Sequence, residues 1–178
     1  MMEQASLVME DGVITGIVKE RRPEADCYID AEGAYVGPGF IDIHTHGGGG
    51  YDFMDGTPEA IIRACRAHLV HGTTSICPTT LTCTDEELLA FFECYREAKK
   101  QMKDGPELLG IHLEGPYFSL EQRGAQDPQY IKIPAQDDYR KLLDASDDII
   151  RMSAAPELEG AMELADELKA RGILASIG

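Results

Sequence analysis

Two patterns of hydrophobic spacing meet near residue 36. Before that point the apolar positions come in short runs that read as strands over 6–9, 13–18 and 27–30, separated by Glu10-Asp11-Gly12 and followed by Ala31-Glu32-Gly33. Asp-Gly between two apolar runs is a hairpin signal, because glycine supplies the positive φ such a turn requires. Beyond it, short apolar runs alternate with longer amphipathic ones. The pattern predicts strands over 40–44, 73–78, 108–113, 149–154 and 173–177, and helices over 58–71, 84–102, 135–145 and 160–171. Thr57-Pro58-Glu59 and the Thr84-x-x-Glu87 box mark two helix starts, and Gly72 and Gly172 mark stops.

Strand followed by helix, repeated, predicts a parallel β/α architecture. Five such strands in about 140 residues make roughly half to two-thirds of a (β/α)8 barrel, which usually takes about 250 residues. The expected fold class is therefore α/β: a partial (β/α)8 TIM-type barrel of about five βα units at 37–178, preceded by a small β segment at 1–36. A complete open five-stranded sheet is the alternative that pattern alone leaves standing.

Composition narrows the partners. The 178 residues carry 43% apolar and 27% charged side chains, as a globular chain does. The longest apolar runs fall far short of the roughly 18 residues of a membrane span, and residues 1–6 lack the basic start and apolar stretch of a secretion signal. A cytoplasmic protein without membrane partners is expected. A net charge of −16, with the few Lys and Arg scattered, argues against nucleic acid. Five cysteines with no C-x-x-C spacing are expected to be reduced.

Two strand ends carry the candidate chemistry. In Gly37-Pro-Gly-Phe-Ile-Asp-Ile-His44-Thr-His46, strand alternation points His44 and His46 to one side at the carboxyl end, where two imidazoles can hold a metal. Gly47, Gly48, Gly49 and Gly50 follow, allowing a tight turn and close approach to the backbone. In Leu109-Gly-Ile-His112-Leu-Glu114-Gly-Pro-Tyr-Phe118, Glu114 lies nearest the strand mouth and is placed to add an oxygen ligand, whereas His112 fits a supporting or packing role. His68 and His71 sit in the last turn of a helix, expected on the face opposite the site.

At these residues the chain resembles a known family. Pro38-Gly-Phe-Ile-Asp-x-His44-x-His46-Gly is similar to the signature that opens the barrel in the amidohydrolase superfamily. His71-Gly-Thr-Thr-Ser, Cys77-Pro-Thr-Thr-Leu-Thr82, His112-Leu-Glu-Gly-Pro-Tyr117 and Gly124-Ala-Gln-Asp-Pro-Gln-Tyr-Ile131 together resemble N-acetylglucosamine-6-phosphate deacetylases. The resemblance implies a barrel with a small β-sandwich built from both chain ends, usually as a homodimer, and hydrolysis of the acetamide of N-acetylglucosamine 6-phosphate. It implies metal ligation by His44, His46 and Glu114, with zinc first and iron, manganese or cobalt as other divalent candidates. Ala125 matches a residue whose backbone lies against the sugar, while Gln126 and Asp127 depart from the common Gly-Ala-His-Asn-Pro form.

The resemblance also implies that a further ligand histidine and the catalytic aspartate lie beyond Gly178, so that little turnover is expected from these residues by themselves. Two other readings compete: a cyclic amidase, disfavoured because Arg151-Met-Ser-Ala-Ala-Pro156 carries no lysine to bridge metals, and a catalytically silent piece that binds metal or a partner chain.

Overall fold

The computed structural model describes residues 5–19 and 23–178, so residues 1–4 of the opening stretch lie outside it. The chain divides into two compact units, Met1–Gly39 and Phe40–Gly178.

In the first unit, β1 (Ser6–Glu10) and β2 (Val13–Val18) form an antiparallel hairpin with Glu10 opposite Val13. Asp11 and Gly12 both take positive φ, 50° and 80°, which gives the turn a twist matching that of the strands. The strand expected over 27–30 does not form. Among the described residues no neighbour offers it a ladder, and the segment ends in a turn where the Glu32 amide donates to Asp30 Oδ1 and the Ala34 amide to the Ala31 carbonyl. Extended backbone without a partner is not a strand, however well its side chains alternate.

The second unit runs β3 (Phe40–Thr45), a hairpin of β4 (Gly47–Gly48) and β5 (Tyr51–Asp52), α1 (Pro58–Leu69), β6 (Thr73–Pro78) and α2 (Asp85–Gln101). It continues through β7 (Glu107–Leu108), β8 (Ile111–Glu114), α3 (Gln136–Asp144), β9 (Ile149–Ala154), α4 (Ala161–Arg171) and β10 (Leu174–Ile177). Three of the four predicted caps are in place, whereas α1 has its C-cap at Val70, ahead of Gly72. Thr57 accepts from the Ala60 amide with Pro58 at the first turn, Thr84 and Glu87 cap each other's backbone, and Gly172 ends α4 in the left-handed region.

The strand expected over 108–113 is two strands. At Gly110, φ is 154° and a side chain would meet Ile150 and the Asp148 carbonyl, so the chain crosses close over its neighbour's backbone there. Leu109 donates to Ile76 and Ile111 to Asp148, so the strand transfers its hydrogen bonding from β6 to β9 across the glycine. β7 pairs with β6, β8 pairs with β9, and a bridge from Thr79 to His112 joins the two sheets. The neighbours are thus β3, β6, β7 with β8, β9 and β10, in sequence order and with every one of these strand pairs parallel.

One hydrophobic core joins the helices to the strands. Leu88, Phe91, Phe92, Tyr95 and Ala98 recur at helical spacing and give α2 its buried face. Burying a side chain the size of Phe92 contributes roughly 2–3 kcal/mol. The outer strands are left open: Phe40, Ile41 and Ile43 on β3 and Leu174 and Ile177 on β10 are exposed. All five cysteines are free, and no helix among the described residues is long and apolar enough to cross a membrane.

Candidate metal centre

The carboxyl ends of β3 and β8 converge. His44 Nε2 lies 3.1 Å from Glu114 Oε1, and His46 Nε2 lies 3.2 Å from Glu114 Oε2. These three side chains are the group among the described residues able to present three metal-ligating atoms within 4.8 Å of one another. Atoms bound about 2.1 Å from one ion in tetrahedral geometry lie roughly 3.4 Å apart. Two imidazole nitrogens and a carboxylate brought together in this way could hold a divalent metal ion.

β6 holds the site's backbone. Thr79 donates its amide to the Thr45 carbonyl, accepts the Thr45 amide on Oγ1, and offers its own carbonyl to His46 Nδ1 at 3.3 Å. That last contact keeps the proton of a neutral His46 on Nδ1 and leaves Nε2 free as a ligand. Thr80 Oγ1 accepts the Glu114 amide, and the Gln126 side chain donates to Glu114 Oε2 at 3.1 Å. The hydrogen bond to Glu114 raises the pKa of His46 against the opposing effect of burial. Burial works to raise that of Glu114, but the His46 hydrogen bond and the imidazole charges win and hold it below the ordinary carboxylate value.

His112 stands behind this cluster and outside it. It is 0% exposed, with Nδ1 at 3.3 Å from Thr79 Oγ1 and Nε2 at 2.8 Å from Ser153 Oγ. Burial, reinforced by the Arg151 charge, pushes its pKa down to about 4 and keeps the ring neutral. Its ring packs edge-on to His44 at 4.7 Å between centroids. Arg151 reaches across the same interior, donating to the Ile43 carbonyl of β3 and to Ser176 Oγ of β10.

Ala125 is exposed in the loop between β8 and α3, next to the buried Gln126. His71 is exposed at the end of α1. His68 is outside the cluster but not remote from it: the β4–β5 hairpin folds back on α1, so that Nε2 lies 2.9 Å from the Gly47 carbonyl and 3.4 Å from Thr45 Oγ1. Sequence reasoning gave no role to Thr79, Thr80 or Gln126. The available signal for the threonines was a hydroxyl-rich run closing a strand that had to lie beside β3.

Comparison with known proteins gives this geometry its context. Residues 35–175 match the amidohydrolase family. The chain is 35% identical over 171 residues to an N-acetylglucosamine-6-phosphate deacetylase of Homo sapiens, covering 89% of this chain and 40% of the relative. It is 32% identical over 180 residues to an N-acetylgalactosamine-6-phosphate deacetylase of Escherichia coli O157:H7, covering 99% and 46%. The crystal structure of an N-acetylglucosamine-6-phosphate deacetylase from Pasteurella multocida superposes with a TM-score of 0.88 at 31% identity, over 99% of this chain and 46% of that one. The chain thus spans less than half the length of these relatives, and its α/β fold is of the TIM-barrel type.

Proposed function

We propose a function from one premise: the chain belongs to the amidohydrolase family. It carries the divalent-metal centre of a deacetylase acting on N-acetylhexosamine 6-phosphates, N-acetylglucosamine 6-phosphate first. The observation that carries this reading is the meeting of His44, His46 and Glu114 at two strand ends of a parallel β/α array. Relatives named for both the gluco and galacto substrates support the substrate class.

In this reading residues 37–178 are the first five units of a (β/α)8 barrel, and residues 1–36 belong to a small β-sandwich. Curvature supports the barrel. β3 and β9 are three strand positions apart, about 14 Å in a flat sheet, yet the Arg151 side chain on β9 reaches the backbone of β3. The strand order also runs without the reversal that marks a doubly wound open sheet.

A bound divalent ion, zinc first with iron, manganese or cobalt as the other candidates, would polarise the acetamide carbonyl and lower the pKa of water held beside it. The chain's own part is to present ligands. Thr79 fixes the tautomer of His46, Thr80 and Gln126 orient Glu114, and the backbone of the exposed Ala125 would lie against the sugar. A homodimeric, cytoplasmic enzyme completes the proposal.

The test is zinc titration of the purified chain and of Glu114→Ala, followed by acetate release from both sugar phosphates. One-to-one uptake that Glu114→Ala abolishes is expected. No uptake sinks the metal reading, and acetate release indifferent to Glu114→Ala sinks the assignment of the reaction to this site. A metal-loaded chain that releases little acetate from either sugar matches what is expected of these residues by themselves and leaves the metal site standing.

A further inference from the structure

From residue 121 to residue 129 every side chain is exposed except one, Gln126, which is 9% exposed. A polar residue buried alone in a solvated loop needs partners for its amide. Gln126 has both. Its Oε1 accepts the Thr82 backbone amide at 2.8 Å, and its Nε2 donates to Glu114 Oε2 at 3.1 Å. A backbone N–H can only donate and a carboxylate can only accept, so a side chain carrying one acceptor and one donor at this separation is what the position demands. Glutamate, leucine or alanine each fails at one end or both.

The other hydrogen bonds made by residues 121–129 stay local. The Gln122 amide donates to the Ser119 carbonyl, the Gln126 amide to the Arg123 carbonyl, and Arg123 to the Leu120 carbonyl, while Asp127 serves Gln129. Among the described residues, the Gln126 side chain therefore provides the hydrogen bonds that tie this stretch to the loop after β6 and to β8, and one of its two ties ends on a proposed metal ligand.

We propose that Gln126 couples the order of this loop to the metal affinity of the His44–His46–Glu114 site, so that each strengthens the other. This rests on the metal reading above. With the loop seated, the Gln126 amide removes one orientation of freedom from the Glu114 carboxylate before an ion arrives. With an ion holding that carboxylate still, the acceptor for Gln126 is fixed and the loop is held down. The coupling is reciprocal by thermodynamic necessity. Gln126 is a positioning residue, acting through Glu114.

Trypsin reads the loop directly, since Arg123 is exposed within it and cleavage there gives fragments 1–123 and 124–178. In the wild-type chain, zinc should slow that cleavage; a Glu114→Ala chain under the same zinc controls for effects on the protease. Gln126→Ala should weaken zinc binding, read by chelator competition, by about 10- to 100-fold and make cleavage at Arg123 faster and insensitive to zinc. Gln126→Glu separates the two ties: it keeps an acceptor for the Thr82 amide but sets a carboxylate against Glu114. It should lose zinc affinity as well, which a tether serving only the loop would not predict. Far-UV circular dichroism confirms that both variants fold.

If both folded variants bind zinc as tightly as the wild type, or if zinc leaves wild-type cleavage at Arg123 unchanged, the coupling is wrong and the metal reading survives. If the wild type takes up no zinc, the metal reading falls and the coupling falls with it.

Discussion

Removing His112 should cost more than its size suggests, and that cost should not add in full to the cost of removing Ser153. The ring is fully buried and bridges Thr79 Oγ1 and Ser153 Oγ. A neutral imidazole satisfies both contacts when it donates from Nδ1 to Thr79 and accepts the Ser153 hydroxyl on Nε2. His112→Leu preserves much of the volume but deletes both bonds. Thr79 Oγ1 keeps the Thr45 amide and the Cys77 carbonyl, whereas Ser153 Oγ, on a residue only 4% exposed, loses its partner. A lost hydrogen bond is worth about 1 kcal/mol and an orphaned buried hydroxyl costs about 1–3 kcal/mol, so the single substitution should destabilise by roughly 2–4 kcal/mol. Ser153→Ala orphans Nε2 instead and should cost about 1–3 kcal/mol. The double variant leaves neither group stranded. Urea unfolding of the four metal-free chains should show the double variant less destabilised than the sum of the singles by about 1–2 kcal/mol. Additive effects would mean that the His112–Ser153 contact does not organise the interior.

Three further outcomes follow from local geometry. Gly115 follows Glu114 at φ 90°, and a Cβ there would meet the Thr82 methyl at 2.7 Å, so Gly115→Ala should destabilise by about 2–4 kcal/mol in the same unfolding assay. Thr84→Ala removes one side of the capping box with Glu87 and should cost about 1 kcal/mol, checked by thermal unfolding; a change within error would mean that the box adds nothing to α2. Burial pushes the Cys65 thiol up to about 12 and Cys77 to about 11, while Cys27 is exposed. Maleimide at pH 8 should label Cys27 in the native chain and reach Cys65 and Cys77 only in denaturant, as read by peptide mass.

The array of strands and helices was open to reading because each element carries its own period and its own punctuation. Thr57-Pro58 and the Thr84–Glu87 box act within one helical turn, and the predicted helices differ from the observed ones by at most two residues at either end. The failures are places where pairing, not pattern, decides. Residues 27–30 alternate like a strand but find no ladder, and the run 108–113 looks continuous until Gly110 shifts its hydrogen bonds from one neighbour to the other. Neither a missing partner nor a change of partner leaves a mark on hydrophobic spacing.

The same distinction runs through the site. His44, His46 and Glu114 could be singled out because alternation along a strand fixes which side chains share a face, and a polar residue ending an apolar run reports a strand mouth. What braces them could not be found that way. Thr79 reaches Thr45 and His46 across 34 and 33 positions in the chain, and Gln126 reaches Thr82 across 44. A threonine at a strand end reads as β propensity or turn chemistry until the neighbouring strand is known. Gln126 sits amid polar residues in a segment whose pattern says only that it is a loop. Its burial is a property of how that loop falls back over Glu114, and so of the tertiary fold. The three side chains that cluster were therefore visible from the order of residues, whereas the groups that hydrogen-bond to them became visible only once β3, β6 and β8 were side by side.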